Sequence, residues 1–505
     1  MSSMEDGDAG APMAELHCQV ENGSEPTRQR ESWSRHLDYM LTMVGYCVAL
    51  GNLLRFPYIC NRNGGGAFMI PFILVLVITG FPAFFLESTI SQFSGKGAKQ
   101  VWSFCPMFKG IGVGSVLFTC AYMPYYNLYL AWPIYYMVKS CSSVLPWTTC
   151  GNSWNTDLCI DNVNTTYRSN ETVLGENNSA TITKSEKWEN VTLAHTPAEE
   201  FWKYNVLDVS TGMEDAVYVT ALLPYILLVA IFITTLLQPG ALYGLHYYVI
   251  PDFNKLLDIQ VWIEACLQVF YSLGPGFGMI GTAASYKNFN EPCLRDSLIL
   301  TLVSEGTSIF SGLVTFATLG VMSQKTGVPI ETVVSNGPGL GFIIYPDALA
   351  QFPLPQLWSF LFFLMLLMVG LDSQGGPYMF QLVDWYIVSL GPLVICTLEC
   401  VVVSWIYGIR RISRDVEMMI GKPLSMPIKI LWAFVTPAIL IITFILTLLR
   451  YQPPTYGKYE FPSYASTIGW FLAVLPLLPI PVYMVIAVRK HMATNSLKKV
   501  TDTYS

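Results

Sequence analysis

Of 505 residues 52% are hydrophobic and only 12% charged, with a mean hydropathy of +0.44; soluble proteins carry about 25% charged residues, so a soluble globular enzyme is excluded and a polytopic membrane protein is implied. The formal net charge of −7 comes with basic residues confined to short loops, which leaves no basic domain to bind nucleic acid. Zinc-ligand spacing, a nucleophile elbow and a phosphate loop are all lacking, and His17, His36, His195, His246 and His491 are dispersed, so no enzymatic chemistry is expected.

Residues 1–36 are polar and acidic, show no cleavable signal, and read as a disordered cytosolic amino terminus. Apolar stretches follow near Tyr39–Cys60, Ala67–Leu86, Val113–Val138, Val217–Leu237, Val261–Ser285, Leu298–Val321, Leu357–Leu371, Tyr378–Tyr407, Ile430–Leu449 and Ile468–Val488. At ~20 residues per crossing these are about ten segments. They define a transmembrane domain over 37–488 and a cytosolic tail over 489–505.

The first stretch is the most informative. Gly45-Tyr-Cys-Val-Ala-Leu-Gly-Asn-Leu-Leu-Arg-Phe-Pro57 places glycines, Asn52, Arg55 and a proline inside a spanning segment. In hydrocarbon every free N–H and C=O needs a partner, so a broken helix survives only where protein, ion or solute satisfies it. Intramembrane Asn52 and Arg55 point the same way. The segment reads as a broken helix lining a solute site.

Arg28, Arg30 and Arg35 precede this span, and Lys96, Lys99 and Lys109 follow the second, which puts both places in the cytosol by the positive-inside rule. The third span then exits into a polar loop over 139–215, with sequons at Asn164, Asn170, Asn177 and Asn190 that mark it as extracellular and glycosylated. Cys150 and Cys159 in this loop form a natural disulfide in an oxidising compartment, with Cys141 as the alternative partner. The remaining cysteines read as small buried hydrophobes. Farther on, Ser272-Leu-Gly-Pro-Gly-Phe-Gly278 is a second break. Alone, such a glycine-rich stretch is more often a packing face; paired with the first break it reads as unwound backbone whose helix ends face ions or a carboxylate.

Ordered motifs run along most of the chain: the first-span motif, Asn63-Gly-Gly-Gly-Ala-Phe-Met-Ile-Pro71, Tyr125-Tyr126, the Cys-x8-Cys pair, Val261-Trp-Ile-Glu264, Ser272 to Gly278, Gly337-Pro-Gly-Leu-Gly-Phe342, Gly370-Leu-Asp-Ser373 and Trp405-Ile-Tyr-Gly408. Together they resemble the neurotransmitter:sodium symporter family, carriers of amino acids, GABA and monoamines in the plasma membrane. The resemblance implies an all-α polytopic membrane protein with a LeuT-like inverted-repeat fold and broken first and sixth spans. Its cofactors would be sodium ions, with chloride as the second candidate ion. One sodium would lie at the carbonyls of Gly45, Val48 and Val369 with Asp372 and Ser373. A second would use Cys47, Asn52, Ser272 and Ser304. These are hard oxygen donors, which suits an alkali cation. Chloride would be held by Gln268, Ser272, Ser304 and Ser308.

For substrate the resemblance implies Ala49, Gly51, Tyr122, Tyr126, Tyr271, Gly274, Phe277 and Ser373, with the Tyr126 hydroxyl on a carboxylate. The gates would pair Arg55 with Asp384 outside, and place Arg30 beside Tyr286 inside. Four residues depart from the family's pattern: Ser304 replaces an asparagine, Glu305 brings an unusual acid, Phe72 stands where chloride-dependent members have tyrosine, and Ala49 replaces the glycine of amino-acid carriers or the aspartate of monoamine carriers. Ser304 weakens the second sodium site, Phe72 points to weak or absent chloride coupling, and Ala49 disfavours an amine. A small neutral amino acid such as glycine is the expected substrate. The lipid bilayer is the other partner, and the sequence does not give an oligomeric state.

Elements are missing at two places. The glycosylated loop runs past Asp215 straight into a stretch that resembles the family's fifth span, and Gln374 is followed by one that resembles the start of the tenth. The fourth span, half of the eighth and the ninth are absent. The parity of crossings then turns the sixth span upside down relative to the first and puts Lys287 and Arg295 outside. A non-transporting truncated isoform that acts as a membrane interaction or regulatory protein is therefore the alternative to a sodium-coupled symporter.

Overall fold

The computed structural model describes residues 32–49, 51–156, 159, 197–201, 223–327, 330, 342, 345–350, 354–370, 386, 389–451, 455–456, 459–460 and 463–490. The first span is two pieces, α1 (His36–Cys47) and a π-turn (Gly51–Arg55) leading into α2 (Phe56–Arg62). Val48 leaves the helical region at φ −99°, ψ 83°. Pro57 sits in the first turn of α2, where a missing N–H costs least. The second span, α3 (Gly66–Ser94), stays continuous through Pro71 and Pro82 by widening into a π-turn over Leu76–Gly80.

Helix α4 (Lys109–Ser140) is the third span, and α5 (Leu223–Leu236) the next, followed by α6 (Ala241–Val249) after a sharp bend of 114°. The second broken span comprises α7 (Ile259–Leu273) and α8 (Met279–Ala284). Then come α9 (Cys293–Thr326), α10 (Pro355–Gly370), α11 (Leu390–Ile420), α12 (Met426–Leu449) and α13 (Gly469–Lys490). A two-residue strand pair, Thr455–Tyr456 with Tyr459–Glu460, caps the link between the last two. The fold is all-α and polytopic.

Contacts set the direction of each span. Arg62, at the end of the first, binds Glu264 in α7 at 2.6 Å, while Trp33 before α1 donates its N–H to the Tyr286 carbonyl at 3.0 Å and its indole Nε1 to that of Ala283 at 3.0 Å. The two broken spans therefore run antiparallel, with their breaks level. Helix α9 rises beside the first span in the same direction, meeting His36 through Asp296, Cys47 through Ser304 and the Asn52 carbonyl through Ser311. Helix α5 follows α9 the same way, since Phe232 packs against Phe310 and Leu236 against Ala317 and Val321.

The expected inversion of the sixth span is thus overturned. Lys287 and Arg295 lie at the end that carries Trp33 and His36, where Lys287 Nζ and His36 Nε2 both reach Asp296 Oδ2, at 2.7 and 2.8 Å. The physical reason is local: each break exposes polar backbone that its counterpart is built to satisfy, and separating them would leave those groups in hydrocarbon. Residues 202–222, between the glycosylated loop and α5, lie outside the described residues.

The outer end of α4 is locked by aromatic packing. Tyr136 stacks on Phe363 of α10 at 4.3 Å and meets Phe201 edge-on, and Trp147 packs on the same Phe201. The Cys150–Cys159 disulfide is formed, with a Cα–Cα distance of 5.7 Å, while Cys141 remains a free thiol. Glu200 ties that loop down by accepting the Thr156 N–H at 2.8 Å and the Asn155 amide at 3.1 Å, as well as the Thr156 hydroxyl. The four sequon asparagines lie outside the described residues.

Candidate functional site

The two breaks meet at mid-span. In the sixth, Gly274, Gly276 and Gly278 have φ of 67°, 83° and 80°, backbone that only glycine adopts at little cost. Glu87 of α3 satisfies the unwound stretch, its carboxylate accepting the N–H of Gly276 at 3.0 Å and of Gly281 at 3.2 Å. From the other side the Tyr46 hydroxyl donates to the Gly274 carbonyl at 3.2 Å, and Gln268 Nε2 donates to the Gly51 carbonyl at 3.1 Å. Sequence reasoning missed Glu87 and Tyr46. A carboxylate inside the apolar second span was the available signal for Glu87.

Asn52 is the knot of the first break and is fully buried. Its Oδ1 accepts the Ala49 N–H at 3.1 Å; its Nδ2 donates to the Ser304 carbonyl at 3.0 Å, the Ser304 hydroxyl at 3.1 Å and the Ser308 hydroxyl at 2.9 Å. Ser304 in turn donates to the Cys47 carbonyl at 3.1 Å. The structure therefore brings together Cys47, Asn52 and Ser304 of the second expected sodium set, and Ser304 spans the gap to the first break although its side chain is short. Ser272 joins them through Glu305, whose Oε1 accepts the Ser272 hydroxyl at 2.6 Å and that of Ser304 at 3.4 Å.

Glu305 is 1% exposed and its Oε2 has no hydrogen-bond partner among the described residues. A buried carboxylate oxygen left unpaired is costly, and a cation among the surrounding hard oxygens is the partner that fits it. The same carboxylate sits among Ser272, Ser304 and Ser308, the residues that the family resemblance sets around chloride. Phe72 packs on Phe56 at 4.8 Å and on Phe68 at 5.8 Å, so it serves the apolar core and offers no donor to an anion. Gln268 spends its Oε1 on Arg55, at 2.7 Å.

On the solute-facing side, the Tyr271 ring lies so close to Gly51 that a Cβ there would come within 2.3 Å of it. Arg55 stands over the same ring, 4.3 Å from its centroid, a cation–π contact. Phe277 stacks on Phe118 at 4.7 Å. Gly274 has Tyr46 and Phe277 as its neighbours. Ala49, Gly51, Tyr271, Gly274 and Phe277 thus gather around the breaks. Tyr122 and Tyr126 lie on α4, with side chains outside the described residues, and Gly45 lies within α1 beside Val48. Val369 lies at the end of α10, whereas Asp372, Ser373, Asp384 and Arg30 are outside the described residues. Tyr286 takes its place at the inner end, its ring 6.4 Å from that of Trp33.

Antiparallel broken spans, level breaks and a buried cluster of hard oxygen donors between them define a membrane transporter of the broken-helix class. The model of the sodium:neurotransmitter symporter family matches in three consecutive pieces, residues 30–216, 215–374 and 373–491. The chain belongs to that family, and it is a multi-pass plasma-membrane transporter rather than an enzyme. Among relatives, the sodium- and chloride-dependent creatine transporter 1 of Mus musculus is 36% identical over 545 residues, covering 90% of this chain and 83% of the relative. The Bos taurus protein of the same name is 36% identical and the Homo sapiens one 35%, with the same coverage.

The three pieces meet where the sequence lacks whole elements. An alignment of 545 residues against 90% of a 505-residue chain, about 455 residues, leaves about 90 positions of the relative without a counterpart. At ~20 residues per span plus loops, that matches the missing fourth span and the missing stretch from mid-eighth to ninth.

Proposed function

We propose that this chain is a sodium-coupled symporter for a small solute that carries a carboxylate, a neutral amino acid or a compound of creatine's kind, moved by alternating exposure of the site between the two breaks. The observation that carries this is the direct bonding of the breaks to each other and to α9: Tyr46 to Gly274, Gln268 to Gly51, Asn52 to Ser304, and Ser304 to Cys47. A chain that had lost its site with its missing spans would have no reason to keep these buried polar groups in register, since each unpaired one costs about 1–3 kcal/mol. Sodium is held by the carbonyl and hydroxyl oxygens of this cluster. Ala49 offers no charge to an amine, and the helix ends at the breaks together with bound sodium suit a carboxylate.

Within this reading Glu305 supplies at the anion position the negative charge that balances sodium. Uptake of labelled glycine and creatine into cells expressing the chain tests both parts. Sodium-dependent uptake that persists when chloride is replaced by gluconate, and falls at least tenfold in Glu305→Gln, is the expected result. Uptake that requires chloride would remove that role from Glu305. No sodium-dependent uptake of any small carboxylate would favour the non-transporting reading, for which the missing spans speak.

A further inference from the structure

Between the outer halves of α3, α7 and α12 lies a crevice of about 400 Å³, walled by Val75, Ile263, Ile439 and Leu446, with Cys266 and Thr443 at its back. Its only large polar group, the Trp262 indole, is already bound to the Leu256 carbonyl at 3.0 Å. Among the lining residues that leaves water only the Thr443 hydroxyl and the Cys266 thiol, fewer partners than ordered water filling such a space needs, whereas an apolar chain gains dispersion contacts with the walls. The mouth opens past Ile442, 55% exposed, and Leu257, 87% exposed. Ile442 stands on the exposed apolar face of the span α12, the kind of surface that a spanning helix turns to lipid, and Leu257 on the turn just above it.

The rim separates the candidate occupants. Arg450 and Asp258 stand there 3.6 Å apart, each about half exposed, next to the exposed Lys255 on the short turn Phe253–Leu257. Exposed Phe253 and the anchored Trp262 mark this level as the membrane interface. Arg450 and Asp258 answer each other's charge, but a sterol, which brings one hydroxyl to such a rim, offers no counter-charge to Lys255, which has no ion pair among the described residues. A zwitterionic phospholipid brings a phosphate for Arg450 and Lys255 and a cationic group for Asp258, with an acyl chain for the apolar slot.

We propose that the crevice binds one acyl chain of an outer-leaflet zwitterionic phospholipid, whose headgroup is held by Arg450, Lys255 and Asp258. The lipid braces α7 against α12. Cys266 on its wall is two residues from Gln268, which holds Gly51 and Arg55, so the occupied crevice steadies the outer half of the broken span. The inference does not depend on transport.

The test is native mass spectrometry of the detergent-purified full chain, delipidated and then supplied with phosphatidylcholine or cholesterol, alongside thermal unfolding. One phosphatidylcholine retained per chain, with a raised unfolding temperature, is the expected result. Ile442→Trp plugs the mouth from an exposed position and should leave the lipid-free unfolding temperature unchanged. It should weaken retention at least tenfold, about the effect of keeping two methylenes out of apolar contact. Equal retention by Ile442→Trp with that temperature unchanged, retention of cholesterol in place of phosphatidylcholine, or no retained lipid in the wild type would overturn the proposal. Should Ile442→Trp lower the lipid-free unfolding temperature, Arg450→Ala, which removes an exposed headgroup contact, takes its place with the same two outcomes.

Discussion

At the scale of single residues, the Asn52 side chain makes four hydrogen bonds at the first break, one to the Ala49 N–H and three to α9. Asn52→Ala strands the Ala49 N–H and three acceptors on α9, and it should abolish sodium-dependent uptake and lower the unfolding temperature. Ala49→Gly removes only a methyl group and should preserve uptake. Retained uptake in Asn52→Ala would separate that residue from the sodium site. The sequence made Asn52 legible because an amide inside an apolar span has few alternatives to a buried partner. Glu305 was legible as unusual, but its partners were not: which hydroxyls meet its carboxylate depends on the rotation of α9 against α7, and no local pattern encodes that. Ser304 shows the same limit, for its reach was judged from side-chain length, while the decisive quantity was the close approach of the backbones.

At the scale of elements, the second break depends on α3. Glu87 holds two backbone N–H groups of the unwound stretch, so Glu87→Leu leaves them unpaired at a cost of about 1–3 kcal/mol each. Its unfolding temperature should fall by several degrees, whereas Glu87→Gln, which keeps one acceptor oxygen, should lose about half as much. Equal stability of Glu87→Leu and wild type would mean that the break is satisfied in some other way. Glu264 plays the corresponding part at the outer end: it joins Arg62 at 2.6 Å, Asn63 at 2.5 Å and Gln260 at 3.0 Å, tying α2 to α7. Both breaks were readable from glycine and proline inside apolar runs, but some helix ends were not: α3 runs on to Ser94 and α11 to Ile420, well past the expected Leu86 and Tyr407. The carboxylates that support the breaks were not singled out, because each is distant in sequence from the backbone it serves.

For the whole molecule, the loss of spans and the integrity of the site coexist. Counting crossings from the sequence inverts the sixth span; the packed structure keeps it antiparallel to the first, because the polar surfaces of two broken helices are worth more together than the parity of a loop. The buried pair of Lys287 and Asp296, joined by His36, fixes the inner end of three spans at once, and burying such charges is tolerable only when they are paired. Arg295 is exposed at that end. In a Cys141→Ala background, which removes the exposed outer thiol, a cysteine introduced by Arg295→Cys should therefore add labelling by an impermeant thiol reagent only after the plasma membrane is opened. Labelling of intact cells would restore the inverted topology. Transcripts amplified across the codons flanking Asp215 and Gln374 should show whether a longer product carries the missing spans.

The most direct measurement is uptake by the purified chain, exactly as its sequence stands, reconstituted in proteoliposomes with an imposed sodium gradient and offered glycine, larger neutral amino acids and creatine in turn. Accumulation of at least one of them that collapses when sodium is equalised or replaced by potassium is the expected result. Folded protein that accumulates none of them under any gradient would contradict the reading of this chain as a working symporter.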